Sequence, residues 1–363
     1  MDINRRNFVK NSAIAATAAA FSPNVLLAAT RPKKDKLGIA LVGLGYYSTD
    51  LLAPALQKTK HCELKGIVTG SPEKIPTWQE KYGIADKNIY NYDSYESIAN
   101  NPDIDVIYVV LPPSMHREYT VRGAETGKHI WCEKPMAPSV MDCQAMIDAC
   151  NKNKVSLAIG YRCQHDPNIQ AYQKVVKEQR FGKVRMVNSA AGYFEGRTTH
   201  WKQSKAMGGG VMGDMGVYAI QGARLATGEE PITVKAHTMT TRPDIYHEVE
   251  ETAMYILEFP SGAMATCHSS FGVNMNYLQV NYEKGWLKME PQTGYGGNRG
   301  SMSDGTEIYT PVDRQQPLQL DDDALAIMNN KPYIAPGEEG LRDIRVVEAV
   351  LKSGANGGCE VKL

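Results

Sequence analysis

Lys128-His129-Ile130-Trp131-Cys132-Glu133-Lys134-Pro135-Met136 reads as a short buried strand that runs into a charged pair and then a proline. Pro135 has no N–H to give to a sheet ladder, so the strand must stop before it. Lys134 is thereby left at a strand's carboxyl end, where open α/β sheets bind their ligands. An ammonium there can donate a proton or clamp a substrate oxygen. The same residues also describe an ordinary surface lysine beside a loop proline, and the surrounding chain has to decide.

Upstream, Leu37–Val42 is apolar without alternation, as a strand buried on both faces requires. It meets Gly43-Leu44-Gly45-Tyr46-Tyr47-Ser48, after which residues 49–57 read as an amphipathic helix. In a strand–glycine turn–helix, Gly43 permits the tight turn and Gly45 lets a phosphate approach the backbone. Leu44 and Tyr46 belong to the same cradle, and Ser48 stands where the dinucleotide fingerprint has its third glycine.

The next strand, residues 63–69, ends at Thr69-Gly70-Ser71-Pro72-Glu73-Lys74. NAD enzymes place an acidic side chain about twenty residues beyond the glycines to hold the ribose diol. Thr69 stands at that tip, followed by Ser71 and Lys74. Hydroxyls and a lysine suit a 2′-phosphate, so NADP is favoured over NAD, unless Glu73 turns inward. A strand over residues 104–111 is closed by Pro112-Pro113-Ser114-Met115-His116. Leu111, Pro112 and His116 are therefore candidates to border the cofactor, His116 equally a helix cap. Helices over 117–126 and 141–151 and a strand over 155–160 complete an alternation that means a doubly wound parallel sheet.

From residue 161 the pattern becomes period-two, over 184–191, 233–240, 252–258, 263–270 and 277–282, as in a mostly antiparallel sheet with one face covered. Helices follow over 322–329 and 340–352. The expected fold class is α/β: a Rossmann domain over 37–160, then an α+β domain over 161–363 with a large mostly antiparallel sheet. A chain of 363 residues is long enough for two cores.

With 40 basic and 40 acidic residues, the chain has no basic field to hold nucleic acid. At its start, Arg5-Arg6, a mild apolar run over 12–21 and Leu27-Ala28-Ala29 form a twin-arginine export signal over residues 1–29, which implies the periplasm. The run is too short and Ala-rich to span a bilayer. Seven cysteines form no CxxC pair, and no metal-ligand cluster is present.

In the second half, Gly208-Gly209-Gly210-Val211-Met212-Gly213-Asp214-Met215-Gly216-Val217-Tyr218 carries the chemistry. On a helix, Asp214 and Tyr218 share one face. A tyrosine titrating near 10 needs a neighbouring cation to act as a base, and Lys134 can be that cation. An ordinary packed helix is the other reading of the run.

Together with Gly43-Leu44-Gly45, Glu133-Lys134-Pro135 and Gly160-Tyr161-Arg162-Cys163, this run resembles the Gfo/Idh/MocA oxidoreductase family, and within it the exported glucose–fructose oxidoreductases. The resemblance implies hydride transfer between a nicotinamide and a sugar carbon. It implies Lys134 holding the substrate hydroxyl, Tyr218 as general acid/base and Asp214 orienting a sugar hydroxyl. Glu133, Arg162 and Tyr161 would line the nicotinamide and sugar pocket, and the large sheet would make a homodimer or homotetramer. The subgroup carries a long proline-rich arm after its signal, whereas residues 30–36 alone precede the first strand here, and the stretch Tyr193 to Trp201 also departs from its pattern.

The expected reaction oxidises an aldose to its lactone, with a second sugar as acceptor, because an exported protein has no free nicotinamide pool to draw on. A conventional NADP sugar dehydrogenase, an exported NAD-dependent glycosidase and a non-catalytic sensor are the alternatives. Retention of Lys134, Asp214 and Tyr218 argues against the sensor.

Overall fold

Strand β1 (Leu37–Val42) is buried along its whole length. It lies inside a six-stranded sheet whose order is β3-β2-β1-β4-β5-β6. Its neighbours are β2 (Cys62–Val68), β3 (Ile89–Tyr90), β4 (Val106–Val109), β5 (His129–Cys132) and β6 (Leu157–Ile159). All five pairings are parallel. The strand order reverses direction between β1 and β4, the place where doubly wound sheets open a crevice for ligands. The computed structural model describes residues 34–363, so the export signal expected over 1–29 lies outside the described residues. Lys36–Leu363 forms one compact unit.

Sequence and structure differ in instructive ways around this sheet. The helix expected over 49–57 begins earlier, as a π-helical turn Tyr47–Leu52 that continues into α1 (Ala53–Leu56). Ser48 donates its hydroxyl to Gly43 O at 2.6 Å, which ties the helix start back onto the glycine turn. Helix α2 (Ile75–Tyr82) follows β2, and α3 (Pro113–Glu125) starts on a proline, whose missing N–H costs nothing in a first turn. His116 therefore sits inside α3 and is not its cap. Helix α4 (Val140–Lys152) is capped by Ser139, which accepts from Asp142 N at 3.1 Å.

The second sheet has nine strands in the order β14-β13-β12-β11-β7-β10-β9-β8-β15. Its centre is β7 (Val184–Gly192), β8 (Thr233–Met239), β9 (Thr252–Glu258), β10 (Met264–Ser270) and β11 (Met275–Tyr282). Short strands β12 (Trp286–Met289), β13 (Gly300–Met302), β14 (Glu307–Ile308) and β15 (Val361–Lys362) extend it at the edges. It is antiparallel except that β7 and β10 run parallel. Helix α5 (Pro167–Lys177), which is not among the expected elements, is capped by Asp166 accepting from Asn168 N at 2.8 Å.

Three further helices tie the layers together. Helix α6 (Val217–Thr227) is buried on nearly every side and packs against β7 and β10. Helix α7 (Gln316–Met328) returns to the first sheet, where Leu320 and Ala324 join Ile39, Leu41 and Ile67 in one apolar cluster. Helix α8 (Gly337–Ala355) packs on β8 and also reaches β6 and α4, and Ser353 Oγ accepts from Ala236 N at 2.8 Å.

Candidate functional site

The first wall of the site comes from the carboxyl ends of β1, β2, β4 and β5. Gly43 has φ +90, and a Cβ there would stand 2.5 Å from Val110 O, so only glycine lets β1 turn against the end of β4. Gly45 is different: a Cβ there would meet nothing within 4 Å, which leaves its backbone open to a phosphate. That open cradle at the sheet's switch point fits the pyrophosphate of a dinucleotide.

Thr69 is buried, and its hydroxyl accepts from Ser71 N at 3.0 Å. Lys74 reaches back to the glycine turn, where its Nζ donates to Leu44 O at 2.9 Å. The three residues proposed for a 2′-phosphate are thus gathered beside the cradle, with Glu73 exposed. His116 is buried, with one ring nitrogen 2.7 Å from Leu111 O and the other 2.9 Å from Pro135 O. Burial lowers its pKa. It braces the ends of β4 and β5, and Leu111 and Pro112 form the rim above it.

Lys134 stands at the end of β5, and its peptide bond to Pro135 is cis. Its ammonium crosses to the second half of the molecule, donating to Asp214 Oδ1 at 3.0 Å and to Asp214 O at 2.9 Å. It also lies over the ring of Tyr218, 4.5 Å from the centroid. Asp214 belongs to a π-helical turn, Met212–Gly216, and Tyr218 to the first turn of α6. The helix face expected to carry both residues is therefore built from two kinds of helix, yet both reach the same lysine.

A second lysine completes the cluster. Lys202 Nζ is 2.6 Å from Asp214 Oδ2, and Tyr193 donates to the same oxygen at 3.3 Å. Burial works against an ionised Asp214, but Lys134 and Lys202 hold its carboxyl well below the ordinary range. Burial likewise works against a charged Lys134, and Asp214 and Tyr218 reverse it, raising the lysine above its ordinary value. Lys134 is accordingly a cation with two of its three N–H groups taken by Asp214. No third hydrogen-bond acceptor is seen for it among the described residues.

Arg162 is 4% exposed and lies between two phenol rings, 5.5 Å from the centroid of Tyr218 and 4.3 Å from that of Tyr295. It donates to Gly294 O at 2.8 Å, to Thr293 O at 2.9 Å, and to Gln315 Oε1. These acceptors are all neutral, and Arg162 has no salt bridge to a carboxylate among the described residues.

Two further candidates are buried in the protein. Glu133 is buried behind Lys134, where its Oε1 accepts from Tyr108 OH at 2.6 Å and burial pushes its pKa up to about 7. Tyr161 is fully buried, and its phenol lies beside Asp343 in the ion cluster of Arg224, Asp343 and Glu339. Both side chains are buried, that of Glu133 beside Lys134 and that of Tyr161 beside Asp343. Lys202, Tyr193 and Tyr295, by contrast, carried no motif that marked them. The one signal was that the stretch Tyr193 to Trp201 departs from the expected pattern.

No group of three or more His, Cys, Asp or Glu side chains among the described residues could hold a metal. The seven cysteines are all free thiols, Cys359 alone being exposed.

Comparison with known proteins gives the cluster its context. The model of an oxidoreductase family with an NAD-binding Rossmann fold, Gfo/Idh/MocA, matches residues 37–161. The model of that family's C-terminal domain matches residues 169–288. A crystal structure of aldose-aldose oxidoreductase from Caulobacter crescentus, complexed with glycerol, is 40% identical with a TM-score of 0.87, over 90% of this chain and 100% of that one. D-xylose 1-dehydrogenase (NADP(+)) of Haloarcula marismortui is 23% identical, over 86% of this chain and 90% of that protein. Levoglucosan dehydrogenase, in complex with NADH and levoglucosan, shares the fold at a TM-score of 0.78 and 20% identity, over 90% of this chain and 99% of that one.

Proposed function

The chain belongs to the Gfo/Idh/MocA family of oxidoreductases, and on that premise we propose that it oxidises an aldose at its anomeric carbon, with NADP as the dinucleotide and a second sugar as acceptor. The observation that carries this reading is the Lys134 ammonium, bound to Asp214 at 3.0 Å and lying 4.5 Å from the centre of the Tyr218 ring. Lys134 directs its remaining N–H at the sugar oxygen and stabilises the negative charge that grows there. Tyr218 takes the hydroxyl proton in the oxidising half-reaction and returns it to the carbonyl of the second sugar in the other. Asp214 and Lys202 offer an acceptor and a donor to a neighbouring sugar hydroxyl. When bound, the nicotinamide supplies the hydride acceptor.

NADP is supported by the absence of a carboxylate at the tip of β2, where Thr69, Ser71 and Lys74 stand, and by the NADP of the xylose dehydrogenase relative. The proposed location is the periplasm, reached by the twin-arginine signal, and the proposed domain boundary lies between residues 160 and 161. A homodimer or homotetramer is proposed through the outer face of the nine-stranded sheet. Four methionines (Met186, Met239, Met254 and Met264) point out of that face, each 43–49% exposed. Sedimentation equilibrium tests the assembly.

For the activity, purified protein with no added dinucleotide should gain reduced-nicotinamide fluorescence with an aldose and lose it with a second carbonyl sugar. Fluorescence that stays flat with aldoses, even after NADP is supplied, contradicts the assignment.

A further inference from the structure

Tyr295 belongs to no motif and no strand, yet it stands between the glycine turn and the phenol of Tyr218. Its ring is 6.4 Å from that of Tyr47, which opens the helix after the glycine turn. On its other side the guanidinium of Arg162 lies 4.3 Å from its centroid and 5.5 Å from that of Tyr218. One row of side chains thus runs from Lys134 through Tyr218, Arg162 and Tyr295 to Tyr47, and so from the reacting end of the crevice to its phosphate end.

The loop that carries Tyr295 is held firmly. Arg162 donates to Thr293 O and Gly294 O at 2.9 and 2.8 Å. Asn276 Oδ1 accepts from Gln292 N and Thr293 N, both at 2.9 Å. Gln292, itself buried, donates to Tyr277 O at 2.8 Å, and Gly294 N donates to Asn298 Oδ1 at 2.8 Å. A Cβ on Gly296 would stand 2.5 Å from Val312 O, so the chain beyond the tyrosine is pressed against its neighbour. On this fixed base Tyr295 is still 37% exposed, and Tyr46, next to Gly45 in the glycine turn, is 64% exposed. Two tyrosines, one in the glycine turn and one on the firmly held loop, thus keep exposed surface. An aromatic ring so placed gains most when a ligand covers it.

We propose that Tyr295 is a clamp on the bound dinucleotide, stiffened from behind by Arg162, and that it slows the cofactor's release. The inference rests on the oxidoreductase reading and adds to it a residue that retains the cofactor. Tyr295 acts through the cofactor's residence in the crevice and not on the reacting atoms.

The test measures release directly. Wild-type protein, Tyr295→Ala and Tyr295→Phe are loaded with NADPH, freed of excess, and mixed with a large excess of NADP, and the loss of bound-nucleotide fluorescence is timed. Tyr295→Ala should release about tenfold faster, the equivalent of about 1.4 kcal/mol. Tyr295→Phe, which keeps the ring, should stay within about twofold of wild type. Tyr295→Leu, which keeps bulk without a π face, takes the place of alanine should that variant fail to fold. Release from the alanine or leucine variant at the wild-type rate overturns the clamp, as does a phenylalanine variant as fast as alanine. A wild-type protein that takes up neither NADPH nor NADH overturns the oxidoreductase reading itself, a result distinct from either.

Discussion

Two buried carboxyl groups flank Lys134, one next to it in the chain and one 80 residues away, and they behave in opposite ways. Glu133, at the end of β5, accepts from the neutral hydroxyl of Tyr108, and burial pushes its pKa up to about 7. Asp214, in the second half of the molecule, has a lysine on each oxygen, and these overcome burial to hold it well below the ordinary range. Burial disfavours both anions, so the contrast is set by partners: direct cations outweigh desolvation, and a phenol does not. The lysine itself turns toward Asp214. The ionised carboxylate therefore lies on the side where the sugar would bind, and the one whose pKa burial raises supports the strand end from behind.

Removing the phenol on the Asp214 side should have the largest effect. Tyr218→Phe should lower kcat by about a hundredfold to ten-thousandfold, with the aldose KM changed far less. Steady-state kinetics decide it, and near-normal turnover would remove Tyr218 from acid/base work.

Asp214→Asn breaks the comparison at its ionised end, because Lys134 and Lys202 lose the anion they share. Two buried ammonium groups left facing one another should cost about 3–5 kcal/mol. Denaturant unfolding measures this, and an unchanged midpoint would mean that the ion cluster contributes nothing net.

Glu133→Gln probes the other end through pH. The raised pKa means that folded protein keeps a proton which the unfolded chain loses once pH exceeds the ordinary glutamate value. Stabilisation from this group is complete below that value and is lost as pH rises to about 7. The total is of order 3 kcal/mol, and the glutamine variant should show a correspondingly flatter stability profile across that window. Asp343 and Asp323, raised by burial to about 6 and about 7, keep part of the slope in the variant. Asp214 has the opposite sign, its contribution being present above the ordinary aspartate value and lost as pH falls through and below it. A profile in Glu133→Gln identical to wild type would contradict the contrast.

Thr69→Asp sharpens the comparison by adding a third carboxylate, at the tip of β2. It should shift cofactor preference from NADP toward NAD by about tenfold, read from the ratio of kcat/KM for the two. An unchanged ratio would dissociate β2 from the 2′-phosphate.

How much of this was legible in the sequence follows from the range of the forces involved. The apolar runs of β1 and β5 announce a sheet buried on both faces, and the glycine turn and Lys134-Pro135 mark where those strands end. Alternation in the second half reports which side of a strand is buried, but not its direction, so the parallel pairing of β7 with β10 is invisible to it. Helix α5 went unmarked although its buried positions, Ile169, Tyr172 and Val175, recur at helical spacing. Lys202 carries no local signal, since what defines it is a carboxylate brought close by folding. Tyr161 shows the converse: a residue placed in the pocket by its motif neighbours turns its side chain into the ion cluster of Arg224 and Asp343.

The account stands on hydride leaving an anomeric carbon held between Lys134 and Tyr218. The most direct measurement gives the protein an aldose deuterated at that carbon with no acceptor sugar, denatures it after the oxidising half-reaction, and determines the mass of the dinucleotide released. The account predicts reduced dinucleotide that has gained one deuterium, in wild type and far more slowly in Tyr218→Phe. Dinucleotide that is reduced without the label, or that stays oxidised while the sugar is consumed, would contradict it.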